Sequence, residues 1–199
     1  MKEDVLEQVV EDYLQLRGYF TMHNLRFKPD KAHPKFVSAQ DSVASDVDVI
    51  GINPLKVGPD RVRVVSCKAW QTGFNPDAKL RELRGEKKNA KRETWRHFRE
   101  LWEPKWSEAF HLAVCEVTNE PVFTYSVAVT KLTGKQTQPE AEAAWASNPT
   151  IARHLNGCQF TFLTMREMWS DLQDKLTKTP APSEIGRLAQ LLKAADIKA

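Results

Sequence analysis

Apolar residues recur along this chain at two periods, one helical and one strand-like. From residue 3 to 17, Val5, Leu6, Val9, Val10, Tyr13 and Leu14 fall on one face at the 3.6-residue period, which predicts an amphipathic helix. Gly18 stands where a left-handed residue would end it. Tyr19 to Phe27 reads as a strand, followed by a basic loop through Pro29 and Pro34. Val47 to Asn53 and Arg61 to Ala69 read as strands about a turn at Pro54 and Gly58-Pro59, which makes them a hairpin. After a loop at Gly73 to Pro76, the pattern is helical from Lys79 to Ala109, with breaks near Gly85 and at Pro104. His111 to Val117 and Val122 to Thr130 read as two further strands. Pro139 to Trp145 and Thr150 to Leu155 follow as short helices, and Cys158 to Leu163 as a strand. Thr164 caps a helix running to about Leu176. Thr177 to Pro182 reads as a linker, and Ser183 caps a last helix with Ile185, Leu188, Leu191 and Leu192 on one face. This order predicts an α/β fold with a mixed central sheet flanked by helices. Residues 1–176 would form the domain, and residues 177–199 a linker and a C-terminal helix packed on it or on a partner.

Composition narrows the class. Of the 199 residues 41% are hydrophobic and 28% charged, the mix of a globular protein with a real core. No apolar run is long enough to span a membrane, and the acidic start Met1-Lys2-Glu3-Asp4 does not resemble a signal peptide. Cys67, Cys115 and Cys158 are odd in number and far apart, as expected of reduced thiols in a cytoplasmic protein. His33, His97, His111 and His154 show no zinc-ligand spacing with them.

Candidate chemistry lies on the predicted hairpin. Side chains alternate along a strand, so Asp46 and Asp48 share one face of the first arm, and Ser66 and Lys68 one face of the second. A hairpin can bring these faces together. Carboxylates beside an ammonium suit phosphodiester hydrolysis: the carboxylates hold Mg²⁺ or Mn²⁺, and the lysine steadies negative charge. Mg²⁺ needs only one or two protein carboxylates.

From residue 3 to 130 the chain resembles the PD-(D/E)xK nucleases, in particular archaeal Holliday-junction resolvases and Mrr-like restriction enzymes. The likeness is carried by Asp48 before Val49-Ile50-Gly51, by Lys68, and by Glu7 eleven positions before Gly18-Tyr19-Phe20. It implies a restriction-endonuclease-like fold and a Mg²⁺- or Mn²⁺-dependent deoxyribonuclease. Asp48, Lys68, Glu7 and Ser66 would then be the catalytic residues, with Asp48, Glu7 and Asp46 as metal ligands. Ser66 replaces the acid of (D/E)xK and brings oxygen without charge. Either another acid compensates, from Asp46, Glu7 or Glu116, or the chain is a catalytically degenerate binder in a repair or defence complex.

Charge distribution fits the DNA partner that the resemblance implies. Between residues 79 and 99 stand nine basic side chains: Lys79, Arg81, Arg84, Lys87, Lys88, Lys91, Arg92, Arg96 and Arg99. Glu82, Glu86 and Glu93 oppose them, a local excess of six on a chain whose net charge is +3. A phosphate-contacting surface is the favoured reading over a solvated helix face. Gln71, just past the lysine strand, is a candidate substrate contact, and the loop with His23, Arg26, Lys28, Lys31 and Lys35 is a second basic surface. Homodimer and subunit of a larger complex both stay open.

Overall fold

A computed structural model describes residues 4–86, 93–175 and 183–195 of the chain. In chain order the elements are α1 (Val5–Gln15), β1 (Phe20–Phe27), α2 (Ser38–Asp41), β2 (Ser45–Ile52), β3 (Val62–Lys68) and α3 (Pro76–Leu83). There follow α4 (Arg99–Trp102), α5 (Pro104–Thr118), β4 (Thr124–Val129), α6 (Gln138–Ala146), α7 (Pro149–Leu155), β5 (Gln159–Thr164), α8 (Met165–Lys175) and α9 (Glu184–Ala194). The strands form one five-stranded mixed sheet in sequence order. β1, β2 and β3 are antiparallel neighbours, whereas β3, β4 and β5 run parallel. Parallel neighbours need crossovers, and helices α3 to α5 and then α6 and α7 supply them.

The sheet is covered on both faces. One core holds Val62, Val64, Tyr125, Val127, Trp106, Phe110 and Trp145, from the sheet and the crossover helices. The other holds Leu6, Val9, Val10 and Leu14 of α1 against Val49, Val65 and Ala128 of the sheet, with Met168 and Leu172 of α8. The architecture is α/β with a mixed sheet between helical layers. No helix among the described residues is long and apolar enough to cross a membrane.

The chain differs from the expected elements in two places. His111 to Val117 is not a strand but the second half of α5. The segment carries a short apolar run, Leu112 to Cys115, that fits a strand or a helix, yet Pro104 occupies the first turn and Trp106, Phe110, Val114 and Thr118 form a buried stripe at helical spacing. Asn119 then closes the helix at φ 55°. α9 also turns a different face inward. Ser183 accepts from the Gly186 N–H at 2.9 Å while donating to the Asp12 carboxylate of α1, which fixes the rotation of the helix. Ile185 and Ala189 pack inward, leaving Leu188 50% and Leu191 68% exposed. The expected linker at residues 177–182 lies outside the described residues.

The exit from β3 is held by a turn with one demanding position. Gly73 sits at φ +83°, and a Cβ there would lie 2.8 Å from side-chain carbons of both Lys131 and Thr133. The next residue, Phe74, exchanges backbone hydrogen bonds with Lys131 and Thr133 at 2.8 and 2.7 Å. Gly73→Ala should therefore lower stability by about 1–2 kcal/mol, the cost of a left-handed non-glycine residue. Urea unfolding followed by circular dichroism would measure it; an unchanged midpoint would mean the turn relaxes freely.

Candidate active site

Strands β2 and β3 pair from Ile52↔Val62 to Val49↔Val65 and then separate. Asp48 and Ser66 are the next residues on each side of that opening. The Asp48 carboxylate closes it by accepting the backbone N–H of Cys67. On β3, Lys68 Nζ donates to Ser66 Oγ at 2.7 Å. Lys68 and Ser66 both act on the Asp48 carboxyl, so Asp48, Ser66 and Lys68 form one cluster. Cys67 points away from it, toward the core beneath α1.

Burial pushes the Asp48 carboxyl above its ordinary pKa, and the Asp46 charge adds to the effect. Lys68, the Cys67 N–H and Ser66 act in the opposite direction without cancelling it. Glu7, in the first turn of α1, is likewise raised, first by burial and next by the charge of Asp48. The Asp48 charge thus reaches Glu7 and disfavours its ionised form.

Asp46 is less central than alternation implied. Asn24 on β1 adopts φ 55°, and the β1–β2 ladder skips the Asn24–Asp48 position. Below that point Val47 joins the same core as Ile50, so the strand's alternation reverses at Asp48. Asp46 is exposed, opposite Arg26, and reaches the site only as a charge. Glu116 is exposed on α5.

Two site residues escaped the sequence pattern. Glu100 of α4 is buried, 7% exposed, and accepts a hydrogen bond from Tyr125 Oη of β4. Burial raises its pKa, with Lys68 opposing and Asp48 reinforcing the shift. Tyr125 is fully buried and stands beside Val64 in the parallel register, next to the Ser66 strand position. Burial and the Glu100 charge hold its hydroxyl well above the ordinary phenol range. The Lys68 charge thus acts on both Asp48 and Glu100, and its ammonium lies 5.8 Å from the centre of the Phe98 ring. The available signal was an acid set among Phe98, Leu101 and Trp102, an apolar setting unlike that of the other acids in the basic run.

The proposed nucleic-acid residues divide. Lys79 is half-buried, ion-paired to Glu82 at 2.8 Å and packed 5.1 Å above Trp70. Arg84 lies 3.8 Å from Glu86, and Arg96 3.1 Å from Glu93 while covering the Trp95 ring. Arg81 pairs with Asp77 at 2.9 Å. Gln71 is exposed in the turn after β3. Lys87, Lys88, Lys91 and Arg92 lie outside the described residues. On β1, His23 turns inward to within 3.1 Å of Glu11, whereas Arg26 near the strand end and Lys28, Lys31 and Lys35 in the loop after it are exposed.

Among the described residues no three His, Cys, Asp or Glu side chains gather closely enough to form a metal cage. No family model, no curated protein and no solved structure matches the chain, so these residues and their geometry carry the functional case by themselves.

Proposed function

We propose that the chain is a metal-dependent nuclease of the PD-(D/E)xK type, with a restriction-endonuclease-like fold, that hydrolyses phosphodiester bonds in DNA. The observation that carries this reading is the Asp48–Ser66–Lys68 cluster at the point where β2 and β3 part. Asp48 and Glu7 fit a divalent cation because both are held above their ordinary pKa by burial, with charge repulsion adding. A cation between them would relieve that repulsion. Bound there, Mg²⁺ or Mn²⁺ would polarise the phosphate and lower the pKa of an attacking water. Lys68 would meet the negative charge that grows on the phosphate, and Ser66 would hold the lysine in place.

A second reading is favoured by Ser66 itself. A neutral hydroxyl stands where the family pattern has an acid, as it would in a degenerate member that binds DNA or a protein partner without cutting. Incubation with duplex, single-stranded and branched DNA in Mg²⁺ or Mn²⁺ separates the two. The nuclease reading expects wild-type cleavage, abolished by EDTA and preserved or raised in Ser66→Glu. Cleavage by Ser66→Glu alone identifies a degenerate binder. Cleavage by neither sinks the enzymatic reading.

A further inference from the structure

We propose that Arg26, Lys28, Lys31 and Lys35, at the end of β1 and in the loop that follows, form the surface that takes the phosphate backbone of DNA. The inference rests on the nucleic-acid reading above and relocates its main contact.

The basic run after β3 is the obvious candidate from charge count, but its described cations are already engaged. Lys79, Arg81, Arg84 and Arg96 each face a carboxylate of the same segment. A cation that already has an anionic partner gains less from a phosphate, since the existing pair must be given up. Arg26, Lys28, Lys31 and Lys35 are all exposed, and none makes an ion pair among the described residues. The acid within their loop, Asp30, is occupied with the backbone N–H of Ala32 at 2.8 Å.

The loop is also held in shape. Asp41, fully buried at the end of α2, accepts from Lys105 Nζ at 2.7 Å, from the Val37 N–H at 2.7 Å and from Trp106 Nε1 at 3.0 Å. Lys105 further donates to the Lys35 carbonyl at 3.1 Å, tying the cationic stretch to α5. Cations on a pre-formed loop bind at a smaller entropic cost than cations on a free one.

Position completes the case. Arg26 is the cross-strand neighbour of Asp46, and the two line a cavity of about 220 Å³ with Val43, Ala44 and Ser45. Asp46 is two residues from Asp48. A backbone lying along the loop would therefore lead toward the carboxylates that carry the proposed chemistry.

The test is fluorescence anisotropy with a labelled duplex and a labelled single strand in EDTA, so that binding is read without cleavage. In the Lys28→Ala/Lys31→Ala/Lys35→Ala variant, affinity at low salt should fall at least ~10-fold, and the slope of log K against log salt should flatten by about 2–3. Arg81→Ala/Arg84→Ala/Arg96→Ala should stay within about twofold of wild type, as expected of cations already paired. Circular dichroism checks that each variant is folded. An unchanged slope in the loop variant, or a change only in Lys87→Ala/Lys88→Ala/Lys91→Ala, overturns the inference, as does a wild type that binds no DNA. Loop-dependent binding by a protein that never cleaves in Mg²⁺ leaves this surface standing and removes the catalytic reading instead.

Discussion

Asp48→Asn should abolish metal-dependent cleavage, lowering the rate by at least ~10²–10³-fold, while DNA affinity in EDTA stays within about twofold of wild type. Asparagine is the informative replacement because its amide oxygen can still accept the Cys67 N–H, whereas alanine would leave that donor without its partner. Glu7→Gln should have the same phenotype if α1 supplies the second metal ligand. Lys68→Ala should slow cleavage by removing stabilisation of developing charge without abolishing metal binding.

Metal binding has a readout that needs no turnover. Asp48 and Glu7 are raised above their unfolded values, mainly by burial, so the folded protein holds their protons more tightly than the unfolded chain does. Their ionised forms therefore reduce stability, and protonation relieves this as pH falls through the folded values. A divalent cation should relieve the same cost at neutral pH and raise the melting temperature with its concentration. Asp48→Asn should lose most of that shift. A wild type whose melting temperature ignores Mg²⁺ and Mn²⁺ would remove the metal from the proposal.

Elements with strong local determinants were legible in the sequence. The stripe of α1 and the β2–β3 hairpin follow from period and turn chemistry alone, and so do the short helices after β4. Misreading of α5 arose because the apolar run Leu112 to Cys115 is too short to separate the two periods. Only the longer stripe from Trp106 through Thr118 does so, and it becomes visible when packed against Phe27, Phe123 and Tyr125. Asp48, Ser66 and Lys68 could be brought together from hairpin alternation. Glu100 and Tyr125 could not, because a crossover connection and a parallel strand deliver them, and no local pattern reports such contacts. The basic run shows the converse problem: charge excess is readable from sequence, but whether a cation is paired depends on geometry.

The buried pair Asp41–Lys105 should be the costliest polar contact to break. Their side chains are 0% and 7% exposed, and three donors converge on the one carboxylate. Lys105→Met leaves Asp41 buried without its counter-charge and should destabilise the fold by about 3–5 kcal/mol. Asp41→Asn/Lys105→Met removes both charges and should recover a substantial part of that loss, which chemical denaturation of the three proteins would measure. If the single and double variants are equally destabilised, the loss comes from packing around the lysine stem and not from an uncompensated charge. Burial alone would raise the pKa of Asp41, but the hydrogen bonds from Lys105, the Val37 N–H and Trp106 outweigh it and hold the group below its ordinary value. A depressed folded pKa contributes stability above the unfolded value, about 3.9 for Asp, and that contribution is lost as pH falls through the folded value. Wild type should therefore lose stability below about pH 4 more steeply than the double variant. The same lock bears on DNA, because it holds the stretch that carries Lys28, Lys31 and Lys35 against α5. Lys105→Met removes none of the four exposed cations, so it should weaken DNA binding while leaving the salt slope near that of wild type. A flattened slope in that variant would instead make Lys105 itself a phosphate contact, which its burial argues against.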